Sequence, residues 1–178
     1  IPIGAVSVPL QTSAPVAQLR PILAETEPSV IAASVDYLDD AVELVLTGRA
    51  PGRLIVFDYR PEVDDQREAF DAARSRFAQA GSPVIVETLA DVLDRGKVLP
   101  AAQAFVSDED DPLTLLIYTS GTTGTPKGAM QPERLVANFW RKSAAWGHQH
   151  SAEPWITLSF MPMSHLMGRR SLYGTLGN

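Results

Sequence analysis

Between Tyr118 and Gly128 the chain reads YTSGTTGTPKG. Gly121, Gly124 and Gly128 let the backbone turn tightly and approach a ligand. Amides of such a loop can converge on an anion. Thr119, Ser120, Thr122, Thr123 and Thr125 add hydroxyls able to donate to phosphate oxygens, and Lys127 adds a positive charge. Pro126 stiffens the exit. The combination suits a loop that wraps a polyphosphate. It is not the P-loop pattern G-x-x-x-x-G-K-[ST]: counted from Gly121, the second glycine falls on Pro126 and the Ser/Thr on Gly128. A flexible Gly/Ser/Thr linker would need neither the apolar run before it nor the amphipathic stretch after it. Nor would it need a lysine in a chain with 12 Arg and only 3 Lys.

His165 is the second chemical candidate. A histidine beyond a strand can donate to an oxyanion, but taken alone it reads first as a packed or capping residue. His148 and His150 lie near Trp146 without a third ligand to complete a metal set, so no metal site is assigned. Arg169 and Arg170 read as a solvated helix end, and Asp108 to Asp111 as a solvated run.

The elements that must position these residues alternate in type. Strands are expected at 5–8, 29–32, 53–57, 84–86, 113–118 and 155–160. Helices are expected at 15–26, with Pro21 as a kink or a delayed start, and at 36–48, with Asp36 as cap and Gly48 as stop. Further helices fall at 61–81, 88–95 and 132–146, and 164–176 reads as a last helical or turn segment. Leu135, Phe139 and Trp146 stand at helical spacing and read as core. The pattern is α/β, mostly parallel sheet layers flanked by helices. The strands at 5–8, 29–32, 53–57 and 84–86 are expected in one sheet, with 113–118 opening a second. Both candidate sites directly follow a strand, where such sheets bind ligands. The domain reading is 1–106 as a first α/β layer, 107–112 as an acidic linker, and 113–178 as the segment that carries the loop and His165.

Composition excludes several classes. No apolar run approaches the ~18 residues of a membrane helix. The absence of cysteine removes disulfides, zinc-thiolate sites and a thiol nucleophile, and fits a reducing cytoplasm. A net charge of −6 argues against nucleic acid as a partner. The charge is uneven: residues 1–126 hold 9 basic and 19 acidic side chains, residues 127–178 hold 6 and 2. A basic last third suits an anionic ligand. The chain opens at Ile1 inside an apolar stretch and stops at Asn178 without a charged tail, which reads as part of a longer protein.

YTSGTTGTPKG resembles the phosphate-binding signature of adenylate-forming enzymes, among them acyl-CoA synthetases, luciferases, peptide-synthetase adenylation domains and carboxylic acid reductases. DDPLTLLIYTSGTTGTPKGAM, SFMPMSHLMGRRSLYGTLGN and the early GAVSVPLQTSAPVAQLRPILAETEPSVI are similar to the adenylation domain of bacterial carboxylic acid reductases. Residues 60–105 carry the least of this likeness. The resemblance implies a partial N-terminal core of an adenylate-forming enzyme. It implies that Thr119, Ser120, Gly121, Thr122, Thr123, Gly124, Thr125 and Lys127 close over the ATP phosphates. Met163 and Ser164 would line the acyl pocket, and His165 would sit beside the reacting carboxylate and the α-phosphate.

The implied reaction joins a small-molecule carboxylic acid to AMP from ATP, with Mg2+ sharing the phosphate charge. In a full carboxylic acid reductase, carrier and reductase domains would take the acyl group onward with phosphopantetheine and NADPH. The family's adenine, ribose and magnesium motifs, its hinge and its lid lysine would lie beyond Asn178, so this stretch alone is expected to be inactive. Neither membrane nor nucleic acid is an expected partner. An acyl-CoA synthetase is the alternative enzyme. A non-catalytic nucleotide-binding fragment is the alternative of another class.

Overall fold

In a computed structural model of the chain, residues 4–120, 126–138, 141, 162 and 164–169 are described. Two compact units divide the chain at Gln11/Thr12 and Ala101/Ala102. One is Thr12–Ala101, and the other joins Ile1–Gln11 to Ala102–Asn178. These boundaries differ from the expected 1–106, 107–112 and 113–178.

The Thr12–Ala101 unit begins with α1 (Val16–Thr26), β1 (Val30–Ser34) and, after a 3-10 turn at Val35–Tyr37, α2 (Leu38–Thr47). Then come β2 (Arg53–Phe57), α3 (Asp64–Gln79), β3 (Ile85–Thr88) and α4 (Leu89–Lys97). β1, β2 and β3 form a parallel sheet in that order, with Ile31 opposite Leu54 and Leu54 opposite Val86. Helical connections of this length are what parallel pairing requires. Leu54 and Val56 of the central strand are fully buried on one face, as are Val42 and Val45 of α2. Each such side chain contributes about 1.5–3 kcal/mol relative to exposure. Phe70, Ala73 and Phe77 of α3 complete the layer.

Local chemistry explains the element ends. Pro21 lies inside α1 rather than delaying it, and the following Ile22 and Leu23 are buried, so packing outweighs the lost amide bond. Asp36 does not cap α2: it sits in the 3-10 turn, and the cap position is Tyr37. Gly48 does end that helix. α3 starts at Asp64, three residues later than expected, and closes with Gly81 at φ +62°. There Ser82 N–H donates to the Phe77 carbonyl and Gly81 N–H to that of Ala78, a Schellman closure that favours glycine. Thr88 and Asp91 form a capping box at α4.

The expected strand at 5–8 does not join the parallel sheet. Ser7 makes an isolated parallel bridge to Leu115 in its own unit, donating to the Thr114 carbonyl at 3.0 Å and accepting from Leu116 N–H at 2.9 Å. Pro9 has no amide hydrogen, which limits the run. No helix among the described residues is long and apolar enough to cross a membrane.

Candidate functional site

β4 (Leu113–Ser120) carries the first residues of the phosphate-loop motif. Its alternation buries Leu115 and Ile117 on one face. It turns back into β5 (Pro126–Pro132), and the two pair antiparallel. Periodicity does not predict that second strand, and its composition explains why. PKGAMQP has two prolines and a glycine, all poor strand formers. Both prolines stand at its ends, where a missing amide hydrogen is tolerated.

The hairpin register sets the motif's geometry. Thr119 lies opposite Lys127 and Ser120 opposite Pro126, so the two arms of the motif meet across one ladder. Thr119 and Lys127 share a face of the ladder, and both are exposed. Tyr118 lies opposite Gly128 on the other face. A Cβ on Gly128 would stand 3.1 Å from Tyr118 Cζ, so the ring occupies the space a side chain would need. Gly121, Thr122, Thr123, Gly124 and Thr125, between the strands, lie outside the described residues, as does Met163.

A short helical stretch over 133–138 follows the hairpin. Asp111, expected to be solvated, instead caps it. Its carboxylate accepts from Arg134 N–H at 2.8 Å and from Arg134 Nε at 3.2 Å, while Glu133 N–H donates to the Pro112 carbonyl at 2.9 Å. A carboxylate at a helix start satisfies amides that have no helical acceptor. Asp108 to Asp110 are exposed, as expected. Leu135, expected in the core, is exposed in this chain. Phe139, Trp146, the strand expected at 155–160, His148, His150 and Arg170 lie outside the described residues.

His165 stands at the head of a second helical stretch, 166–169. It is exposed, so it is not a packed residue, and Ser164 before it is half-buried. Its N–H donates to the Pro162 carbonyl at 2.9 Å. Its carbonyl accepts from Gly168 N–H at 3.1 Å and Arg169 N–H at 3.3 Å. Its ring Nδ1 accepts from Met167 N–H at 3.1 Å. The imidazole therefore caps the helical stretch through one nitrogen, and the other has no partner among the described residues.

The parallel unit also holds a charged cluster that the sequence does not announce. Glu87 on β3 is buried, and its carboxylate accepts from Arg53 Nη1 at 2.8 Å and from Arg95 Nη1 and Nη2 at 2.8 and 3.1 Å. The Arg95 hydrogen bonds hold the Glu87 carboxyl below its ordinary range, against burial, which pushes it up; Arg53 adds to the lowering. The same carboxylate raises Arg95. Asp91 is lowered by the Thr88 hydroxyl and amide that cap α4. Residues 53, 87 and 95 have no sequence spacing that announces the cluster, although Thr88-x-x-Asp91 was a readable capping signal. Among the described residues no three histidine or carboxylate side chains gather as a metal site.

Over its whole length, residues 1–178, the sequence matches the model for the AMP-binding enzyme family. The chain belongs to the AMP-binding enzyme family. It is 60% identical over 178 residues to a carboxylic acid reductase of Mycobacterium tuberculosis, covering 100% of this chain and 15% of that protein. Its fold is similar to the adenylation domain of a carboxylate reductase from Mycobacterium chelonae, at 50% identity and a TM-score of 0.85 over 97% of this chain and 26% of that one. The adenylation domain of the Segniliparus rugosus carboxylic acid reductase, solved with AMP and a co-purified carboxylic acid, matches at 50% identity and a TM-score of 0.85. That match covers 98% of this chain and 28% of the other. The chain thus spans about 15% of the carboxylic acid reductases it resembles and about a quarter of their adenylation domains. Within this family the α/β architecture is that of the N-terminal part of an adenylation domain.

Proposed function

We propose that the chain is part of the adenylation domain of a carboxylic acid reductase and serves the ATP-dependent activation of a carboxylic acid. The hairpin register carries this reading. Thr119 and Lys127 lie opposite each other at the exposed end of the ladder, where both can donate to a polyphosphate held by the connecting loop. In the reaction a carboxylate oxygen attacks the α-phosphorus of ATP, the bond to the β-phosphate breaks, and pyrophosphate leaves an acyl-adenylate. A carboxylate is already ionised at neutral pH, so the protein's task is positioning and charge neutralisation. Thr119, Ser120, Gly121, Thr122, Thr123, Gly124, Thr125 and Lys127 hold the phosphates. His165 donates a hydrogen bond to the reacting carboxylate or the α-phosphate. Met163 and Ser164 line the acyl pocket.

Mg2+ would supply additional neutralisation of the phosphates when bound. The described residues offer no carboxylate set for it, and no step is assigned to it. Phosphopantetheine and NADPH belong to the carrier and reductase domains of the longer protein, which take the acyl group on to an aldehyde. The test is ATP–pyrophosphate exchange in the protein carrying the complete adenylation domain, with a panel of carboxylic acids. Acid-dependent exchange that falls with Lys127→Ala supports the reading. Acid-independent ATP binding without exchange would leave a nucleotide-binding module. Release of the acyl group only to coenzyme A would place the parent among acyl-CoA synthetases.

A further inference from the structure

A neutral imidazole has one N–H donor and one acceptor nitrogen. A main-chain amide can only donate. At 3.1 Å the Met167 N–H is within hydrogen-bond range of His165 Nδ1, so that nitrogen carries a lone pair and the proton resides on Nε2. The backbone on both sides of the ring is held as well, through the Pro162, Gly168 and Arg169 contacts.

This arrangement is opposite in sense to a histidine backed by a carboxylate. There the near nitrogen donates, and the far one is left as a base. Here the near nitrogen accepts, and the far one is left as a donor. Adenylation of an ionised carboxylate abstracts no proton, so a donor is the form the reaction uses. We propose that the Met167 amide is a positioning group. It fixes His165 as the Nε2–H tautomer, so that the imidazole donates to the reacting carboxylate or α-phosphate oxygen and does not act as a general base. The inference rests on the adenylation reading above and adds which atom of His165 acts and what sets it.

The test uses the protein carrying the complete adenylation domain, with its histidines labelled with nitrogen-15. His165 is assigned by difference from His165→Gln. In the unsubstituted protein Nδ1 should read as a pyridine-type nitrogen and Nε2 as a pyrrole-type one. Met167→Ala keeps the amide and should keep that pattern. Met167→Pro removes the N–H at the second position of the helical stretch, among the amides that have no intrahelical acceptor, and should give mixed tautomers. Its kcat for exchange should fall about tenfold below that of Met167→Ala, less than removal of an entire donor costs, with KM for ATP little changed. A proton on Nδ1 in the unsubstituted protein overturns the proposal. So does a mixed-tautomer Met167→Pro enzyme with undiminished kcat.

Should Met167→Pro not fold, two isosteres answer the same question. The amide nitrogen of Gln reaches the place of Nε2, and that of Asn the place of Nδ1. His165→Gln should retain about tenfold more exchange than His165→Asn, and the reverse order overturns the proposal. Failure of the underlying reading looks different: no exchange with any acid, or full exchange in His165→Ala, whatever the tautomer.

Discussion

The ring of Tyr118 lies over Gly128 across the β4–β5 ladder, with Cζ 3.1 Å from where a Cβ would stand. The glycine that ends the phosphate-loop motif thus leaves room for the ring of its cross-strand neighbour. Gly128→Ala should force the ring to give by a few tenths of an ångström. Gly128→Val should overpack the ladder at a cost of about 1–3 kcal/mol. Thermal melts of the two variants should rank in that order. Equal melting temperatures for Gly128→Val and the unsubstituted protein would remove the steric account.

Lys127 faces solvent opposite Thr119. In the protein with its complete adenylation domain, Lys127→Ala should weaken the use of ATP. One charged hydrogen bond is worth roughly 1.5–3 kcal/mol, or about tenfold to a hundredfold in rate or affinity. Thr123→Ala should act in the same direction and less strongly. Unchanged exchange kinetics in both variants would withdraw the phosphate-loop assignment.

His165→Ala should lower adenylation by on the order of tenfold to a thousandfold. Because the side chain is exposed and its capping bond serves only a short helical stretch, the melting temperature should hardly move. A destabilised variant with normal exchange per folded molecule would mark His165 as structural.

Glu87 links the parallel sheet to α4 through Arg53 and Arg95. Its carboxyl is lowered in the folded state, so its stabilising contribution is present above the unfolded value near 4.5 and is lost as pH falls through the folded value. Asp91, also lowered, adds to the same acid-side loss. Glu87→Gln should cost about 1–2 kcal/mol at neutral pH, kept modest because both guanidinium groups are half exposed and solvent screens them. The difference from the unsubstituted protein should shrink below about pH 4. A difference that is constant down to pH 3 would show that the carboxylate's charge is not what stabilises the contact.

Features that depend on local order along the chain are legible in the residues alone. Strands at 53–57 and 113–118, the helix carrying Phe70 and Phe77, and the stop at Gly48 come from periodicity and glycine chemistry, each within a few neighbouring residues. The phosphate-loop motif was legible because eleven contiguous residues concentrate glycines, hydroxyls and a lysine. Tertiary structure decided the partners. Ser7 bridges β4 and not β1, because pairing goes to whichever unsatisfied ladder lies adjacent in space. β5 exists despite its prolines, because β4 supplies the hydrogen bonds that intrinsic propensity does not. Asp111 became a cap only when the hairpin returned Arg134 to it, 23 positions later in the chain. Glu87, Arg53 and Arg95 converge across a strand register that no sequence spacing encodes. His165 was visible as a residue type, but the nitrogen that carries its proton depends on a main-chain amide two residues on, and only the folded turn brings the two within hydrogen-bond reach.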